Sequence, residues 1–281
     1  MNAIVEGYSA GADEYARYWA PVLEETSALL VHEVDSQIRA GGFAEDFILL
    51  DVGAGIGTLA LRALERWPRA RVIASDAAAG MLAYAGQRAI DVGADDDSRL
   101  SFLVGPADEL PLASASIDVA ISSFVLQLVP DRLAALAEIR RVLRPGGLLA
   151  YVTWLDRDSR EPFRAADEFD EAVYDLEVDE PDESDEPIAG DVRSARAAAD
   201  ELRKAGLVRA SAREETLIYE WTMESYLEYK LKYDERSLLS ELDAEQAAAL
   251  ESNARSRLSR LAPSDFRWHA PVVFARGFAP S

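Results

Sequence analysis

The chain has 281 residues, of which 49 % are hydrophobic and 28 % are charged. These proportions are ordinary for a soluble globular protein, and the length favours one large α/β domain over two full domains. There are no cysteines, which excludes disulfides, thiolate metal sites and cysteine nucleophiles. The formal net charge of −22 disfavours nucleic acid and anionic lipid as partners, because such a surface repels phosphate groups.

The sequence gives no sign of export or of membrane insertion. Residues 1–8 have neither a basic n-region nor an apolar h-region, so no secretory signal is expected. No apolar run approaches the roughly 18 residues that a membrane span requires. We therefore expect a cytoplasmic protein without membrane association, present as a monomer or homodimer.

Helices are predicted for residues 1–42. The first covers residues 12–19, and a second starts at Pro21 and continues to about Ala40. Apolar residues recur at helical spacing in the second helix, which gives it one face for packing on a sheet. Gly41 and Gly42 end it, as glycine does past a helix C-terminus.

A strand, a glycine turn and a helix follow one another over residues 47–66. Four apolar residues run into Asp51, and Gly53, Gly55 and Gly57 then occupy alternate positions. A short apolar run bounded by glycine predicts a buried strand of a parallel sheet. Glycine permits positive φ and close approach of a ligand, and the helix N-terminus adds free N–H groups. A nucleotide-like ligand is expected there, with a purely structural glycine turn as the alternative.

Spacing distinguishes between the nucleotides. A dinucleotide fingerprint needs its third glycine where this chain has Thr58, and the phosphate loop of NTPases needs a lysine that is absent here. A second strand pattern ends at Asp76, 19 positions after Gly57. A carboxylate at that place in a βαβ unit can accept hydrogen bonds from both ribose hydroxyls, although Asp at a strand end also caps helices.

Several later segments carry a family resemblance. Strand patterns occur at residues 100–105, 117–123 and 148–154, with an amphipathic helix at 131–142. The motifs Asp-x-Gly-x-Gly-x-Gly, Gly-Pro-Ala-Asp-Glu-Leu-Pro-Leu, Ile-Asp-Val-Ala-Ile-Ser-Ser and Glu-Ile-Arg-Arg-Val-Leu-Arg-Pro-Gly-Gly follow in that order. Together, over residues 45–155, they resemble the ubiquinone/menaquinone-methylase-like branch of class I S-adenosylmethionine (SAM) dependent methyltransferases.

The resemblance implies a fold and a domain organisation. The expected fold is α/β, a Rossmann-like seven-stranded sheet that is mostly parallel, with N-terminal helices and a helical cap. The last strand would run antiparallel between the fifth and sixth. A single domain would cover residues 1–281: the core sheet at 45–155, 192–221 and 266–277, the N-terminal helices at 1–42, and the cap at 155–190 and 222–261.

The resemblance also implies SAM as cofactor, S-adenosylhomocysteine as product and a small-molecule acceptor. Asp51 and the glycine backbone would hold the methionine end, Asp76 the ribose, and Ala107 and Asp108 polar atoms of the adenine. Pro106 stands where family members often have Asp, and proline cannot donate a backbone hydrogen bond. The full set of predicted cofactor-binding residues is Asp51, Gly53, Ala54, Gly55, Gly57, Asp76, Ala77, Met81, Ala107, Asp108, Ser122 and Ser123.

Methyl transfer from a sulfonium is an in-line displacement that depends mainly on alignment and exclusion of water. No catalytic residue is assigned, and no metal-ligand spacing is present. Gln127 stands where the branch often has His. The candidates for acceptor contacts are Tyr15, Tyr18, Gln127, Trp154 and Arg157.

Two other functions stay open: a non-catalytic SAM-binding protein or partner subunit, and a nicotinamide oxidoreductase, which Thr58 disfavours. The role of the acidic segment 166–187 is also open. No Lys or Arg occurs between Arg164 and Arg193. A solvated acidic surface is the ordinary interpretation, and a surface that attracts a cationic acceptor is the alternative.

Overall fold

The computed structural model describes residues 3–94, 98–156, 162–176 and 187–281. Within these ranges the strands form one seven-stranded sheet in the order β3-β2-β1-β4-β5-β7-β6. The strands are β1 Ile48–Val52, β2 Arg71–Asp76, β3 Leu100–Val104, β4 Ile117–Ser123, β5 Leu143–Trp154, β6 Val208–Glu220 and β7 Arg267–Phe278.

The helices surround this sheet. They are α1 Ala3–Ala10, α2 Ala12–Glu14, α3 Glu24–Gly41, α4 Thr58–Arg66, α5 Ala79–Asp91, α6 Arg132–Val142, α7 Arg164–Tyr174, α8 Ala195–Lys204, α9 Met223–Tyr229, α10 Arg236–Glu241 and α11 Ala244–Leu258. Two π-helical turns, Tyr15–Trp19 and Lys230–Asp234, and two 3₁₀ turns, Ala20–Leu23 and Pro263–Phe266, complete the described structure.

The strand directions confirm the predicted fold class. β1 to β5 pair in parallel, whereas β7 lies antiparallel between β5 and β6. The strand order reverses between β1 and β4, which is where ligands bind in open α/β sheets, outside the carboxyl ends of the strands. The glycine turn after β1 lies at that point.

Both faces of the central strands β1 and β4 are buried, as a continuous apolar strand pattern requires. Leu49 belongs to the core cluster that includes residues of α3, α4, α7 and α11, and the next residue, Leu50, belongs to the cluster with α6 and α8. Both leucines are fully buried, and such burial contributes roughly 1.5–3 kcal/mol for each side chain. The rigid centre of the sheet therefore fixes the ends of β1 and β4.

Some element boundaries differ from the sequence prediction. β5 begins at Leu143, five residues before the predicted strand, because Leu143 pairs with Ile117 ahead of the glycine turn. The register between β4 and β5 then shifts before the pairing resumes at Val119 and Leu148. The helix predicted over residues 12–19 changes to π-helix at its C-terminal end, and α9, in the predicted cap, is likewise followed by a π-helical turn. These two turns pack against each other.

The N-terminal helix α1 is held against α5 at one close contact. The backbone N–H of Gly80 donates to Ser9 Oγ at 2.8 Å. A Cβ on Gly80 would lie 2.0 Å from the carbonyl oxygen of Ser9, so only glycine fits there. This contact places α1 over the carboxyl ends of the central strands.

Candidate functional site

The glycine turn after β1 adopts a conformation that requires glycine. Gly53, Gly55 and Gly57 all have positive φ, at 71°, 53° and 78°. A Cβ on Gly53 would lie 2.2 Å from a methyl carbon of Val125, whereas nothing lies within 4 Å of the same position on Gly55. Gly53 is therefore fixed by packing, and Gly55 faces open space where a ligand can approach the backbone.

Asp76, at the end of β2, stabilises this turn by hydrogen bonds. Its Oδ2 accepts the Gly55 N–H at 2.7 Å, and its Oδ1 accepts the Ala78 N–H at 2.8 Å. Burial raises the pKa of this carboxyl, and the N–H groups of Ala78, Gly55 and Ala77 partly offset that rise. Each carboxylate oxygen can accept a second hydrogen bond, so Asp76 can hold the turn and bind a ligand hydroxyl together.

Asp51 is buried on β1 beneath the same turn. It is 1 % exposed, and neither carboxylate oxygen has a hydrogen-bond partner of normal geometry. Burial raises its pKa to about 8, repulsion from Asp76 adds to the rise, and the Ala60 N–H only partly offsets it. A buried carboxylate without partners is costly, and it favours a site that receives a cationic donor from a ligand.

Asp51 lines a small cavity of about 40 Å³. Gly53, Gly55 and Ser123 line this cavity and also the main one, so the two are adjacent. The main cavity has a volume of about 690 Å³, within the range of 300–1,000 Å³ typical of ligand pockets. It lies along the carboxyl ends of the strands.

Most of the predicted site residues are brought together by the fold. The main cavity is lined by Tyr15, Gly53, Gly55, Asp76, Ala77, Met81, Ala107, Asp108, Ser123, Gln127 and Trp154, and the small cavity by Asp51 and Ala54. Four predicted residues are placed differently or lie outside the description. Gly57 caps α4, Ser122 donates to the Val52 carbonyl within the sheet, Tyr18 lies beside Arg17 without lining either cavity, and Arg157 lies outside the described residues.

Gln127 presents an oriented amide to the main cavity. Its Oε1 accepts a hydrogen bond from the Thr153 hydroxyl at 2.9 Å, and its backbone carbonyl accepts the Gly190 N–H at 2.9 Å. Both Gln127 and Thr153 are buried. Because Thr153 occupies the oxygen, the amide nitrogen is the atom left to donate to a ligand.

One wall of the main cavity is built from aromatic rings, of which the sequence predicted only Tyr15 and Trp154. Ring centroids are 6.0 Å apart between Tyr8 and Tyr15, 5.6 Å between Trp19 and Tyr229, and 4.1 Å between Phe124 and Trp154. We call this set the aromatic wall; its members are Tyr8, Tyr15, Trp19, Phe124, Trp154, Tyr229 and Tyr233.

The two π-helical turns supply much of the aromatic wall. Tyr15 and Trp19 lie in the first turn. Tyr229 immediately precedes the second turn, and Tyr233 lies within it. The spacing of Tyr226, Tyr229 and Tyr233 at three and four residues was the available sequence signal, since it places these rings on one helix face. That face could have been assigned to the cavity only by knowing where α9 packs.

Carboxylates also line the far end of the main cavity. Asp234 Oδ1 accepts the Tyr229 hydroxyl at 2.8 Å, and its Oδ2 lies 2.6 Å from Lys230 Nζ. Asp191 lines the same cavity. Among the described residues, no group of His, Cys, Asp or Glu has an arrangement that could hold a metal ion, and no helix is long and apolar enough to cross a membrane.

Comparisons with known proteins agree on one family. Residues 50–151 match the family model described as a methyltransferase domain. The malonyl-[acyl-carrier protein] O-methyltransferase of Xylella fastidiosa (strain M23) is 39 % identical over 129 residues, which are 44 % of this chain and 42 % of that protein. The ubiquinone/menaquinone biosynthesis C-methyltransferase of Dinoroseobacter shibae is 46 % identical over 101 residues, 36 % of this chain and 40 % of that protein.

The fold comparison extends over nearly the whole chain. A phosphoethanolamine N-methyltransferase 2 from Haemonchus contortus, solved with phosphomonomethylethanolamine and S-adenosylhomocysteine, superposes with a TM-score of 0.55 at 18 % identity. The match covers 97 % of this chain and 58 % of that one, and it concerns the fold alone. The chain spans about two fifths of the length of the two curated relatives named above. Residues 50–151 thus match a methyltransferase domain, as the motifs predict, and the sheet has the class I methyltransferase fold.

Proposed function

We propose that this chain is a SAM-dependent methyltransferase that transfers a methyl group to a small-molecule acceptor by in-line displacement. The observation that carries the proposal is the unpartnered, buried carboxylate of Asp51 beneath the glycine turn. Residues 50–151, which match the methyltransferase domain, contain both Asp51 and this turn. The buried carboxylate fits the ammonium group of the methionine end of SAM.

The rest of the site fits the same cofactor. Asp76 has free acceptor capacity for ribose hydroxyls at the edge of the main cavity, next to the open backbone of Gly55. Met81 and Ala107 line that end of the cavity with apolar surface suited to a base. When bound, SAM supplies an electrophilic methyl group on a sulfonium.

The chain itself contributes alignment and exclusion of water. The aromatic wall continues from Ser123, at the end of β4, so an acceptor held there lies next to the cofactor end of the cavity. Alignment of two reactants can lower the activation barrier by ~7–11 kcal/mol, whereas a general base raises the rate about 10²–10⁴-fold. No His lines the main cavity within the described chain, so we assign no catalytic base and place the rate enhancement mainly in alignment.

The acceptor class is proposed from the cavity and not from the relatives. Their names specify malonyl-[acyl-carrier protein] and ubiquinone/menaquinone biosynthesis, but this chain covers less than half of the length of each relative. A cavity of about 690 Å³ bounded by aromatic rings suits a partly apolar small molecule beside the cofactor. A non-catalytic SAM-binding protein with the same fold remains the alternative.

Calorimetric titration tests the cofactor half of the proposal. SAM and S-adenosylhomocysteine should bind the wild type, and NADH should not. Asp76→Asn should weaken both adenosyl ligands at least tenfold, because it removes one carboxylate acceptor from the turn and from the ribose. Asp91→Asn, on the exposed surface of α5, is the matched control and should bind as the wild type does.

The outcomes separate the candidate functions. Absence of adenosyl-ligand binding to the wild type would overturn the proposal, and binding of NADH instead would favour the oxidoreductase. Tight SAM binding without turnover on a broad acceptor panel would favour the non-catalytic alternative.

A further inference from the structure

The charges that line the main cavity are of one sign. Four aspartates line it: Asp76 and Asp108 at the cofactor end, Asp234 beside Tyr229 and Tyr233, and Asp191 next to Gly190. Among the residues that the structure describes, no Lys, Arg or His lines this cavity. An anionic acceptor would therefore find no cationic side chain among the lining residues and would meet four carboxylates, which makes its desolvation costly.

The charged groups around Asp234 have a net negative charge. Lys230 is 7 % exposed and bridges two carboxylates, Asp234 and Glu235, with Nζ–O distances of 2.6 Å each. Asp170 belongs to the same group of charges: burial raises the pKa of its carboxyl, Lys230 partly offsets that rise, and Glu235 and Asp234 add to it. Arg236 lies 5.6 Å from the centroid of the Tyr233 ring but does not line the cavity. Two cations thus face three carboxylates at this end.

The aromatic wall supplies the second recognition element. Its rings form a continuous series. The ring centroids are 6.3 Å apart between Tyr15 and Tyr233, 6.0 Å between Tyr233 and Tyr229, and 5.6 Å between Tyr229 and Trp19. Cations are attracted to the faces of Trp and Tyr rings at distances up to about 6 Å. Aromatic faces beside carboxylates are the surroundings in which ammonium groups bind well.

We propose that the acceptor is an amine that binds as a cation and carries an apolar or aromatic body, rather than a carboxylate or a phosphate ester. This inference rests on the proposed function, because it concerns the acceptor of the same site. The aromatic wall would surround the body and the charged nitrogen, and the carboxylates of Asp234 and Asp191 would complement the charge. The net charge of −22 favours the approach of such a cation at low salt.

The reaction balances with water as the proton acceptor. The bound ammonium releases one proton to water, which frees the lone pair of nitrogen. That pair forms the N–C bond to the methyl carbon while the S–C bond breaks and its electrons remain on sulfur. The amine leaves as an N-methylammonium, and the sulfonium becomes the neutral thioether of S-adenosylhomocysteine. One proton is released for each methyl group transferred.

Matched probes of opposite charge test the inference. Calorimetry on protein saturated with S-adenosylhomocysteine would compare 2-phenylethylamine with 3-phenylpropionate, and benzyltrimethylammonium with benzylphosphonate. We expect each cation to bind at least about tenfold more tightly than its anion, and the preference to shrink in high salt. Equal affinities, tighter binding of the anions or no detectable binding of either cation would overturn the inference.

Variants connect the preference to the aromatic wall. Tyr233→Leu keeps an apolar side chain but removes a ring face, so the cation-to-anion affinity ratio should fall roughly 3- to 30-fold. Tyr174→Leu makes the same change at a side chain that is 81 % exposed, and the ratio should not change. An unchanged ratio in Tyr233→Leu would refute the role of the wall.

The same titrations distinguish the two levels of failure. If S-adenosylhomocysteine itself does not bind the wild type, the proposed function fails. If it binds and the cations do not, only the acceptor class is wrong.

Discussion

The buried carboxylate of Asp51 makes the stability of the free protein depend on pH in a defined way. Its pKa rises from an ordinary value of 3.8 to about 8 because it is buried without partners and close to Asp76. The folded protein therefore holds a proton on Asp51 that the unfolded chain releases above about pH 4. Stability from this group is fully present below pH 4 and is lost as the pH rises towards 8.

The perturbation that isolates this effect is Asp51→Asn, which removes the titrating group and keeps its size. One proton corresponds to ~1.4 kcal/mol of unfolding free energy for each pH unit. The free energy of unfolding of Asp51→Asn, minus that of the wild type, should therefore increase by up to about 4 kcal/mol between pH 5 and pH 8. Burying the Asn amide also changes the free energy of unfolding, but by the same amount at every pH, so the dependence of the difference on pH is unaffected.

Urea denaturation at pH 5, 6, 7 and 8, without adenosyl ligands, measures the difference. Asp91→Asn is the control, because Asp91 is exposed and its replacement should give a curve parallel to that of the wild type. Parallel curves for Asp51→Asn and the wild type would refute the reasoning, since Asp51 would then be ionised in the folded protein. The slope should diminish when SAM is bound, because a cationic partner stabilises the carboxylate.

Two glycines give further predictions. Gly53→Ala should destabilise the protein by about 1–3 kcal/mol and abolish SAM binding, as measured by urea denaturation and calorimetry, because its Cβ would overlap Val125. Gly80→Ala should displace α1, since its Cβ would lie 2.0 Å from the Ser9 carbonyl oxygen; limited proteolysis should then cut the N-terminal helices faster. Gly86→Ala, on the same helix but in ordinary contact, should be neutral or stabilising by up to about 1 kcal/mol. Unchanged protection of the N-terminus in Gly80→Ala would contradict the assigned contact.

The glycine turn and the place of Asp76 were predictable because short sequence patterns determine them. The run from Asp51 to Gly57 specifies a buried strand, a turn with positive φ and a helix start, and each part is local. Asp76 follows at the distance that a βαβ unit sets. The order of the strands followed from the family resemblance, and the structure places the last strand where it was expected.

The aromatic end of the main cavity was predicted only in part, because it is formed by contacts between distant segments. Tyr229 and Tyr233 reach the cavity because their π-helical turn packs against the turn that carries Tyr15 and Trp19. No local pattern encodes that pairing. Ser122, in turn, lies at the correct strand end, but its hydroxyl is used within the sheet, which depends on the twist and register of β1 and β4.

We propose that the chain binds SAM with its methionine end at Asp51. Calorimetry would compare S-adenosylhomocysteine with 5′-methylthioadenosine, which lacks the amino acid part, on the wild type and on Asp51→Asn. The wild type should prefer S-adenosylhomocysteine by at least about tenfold, and Asp51→Asn should lose most of this preference. An equal preference in both proteins would contradict the assignment of Asp51 to the ammonium group.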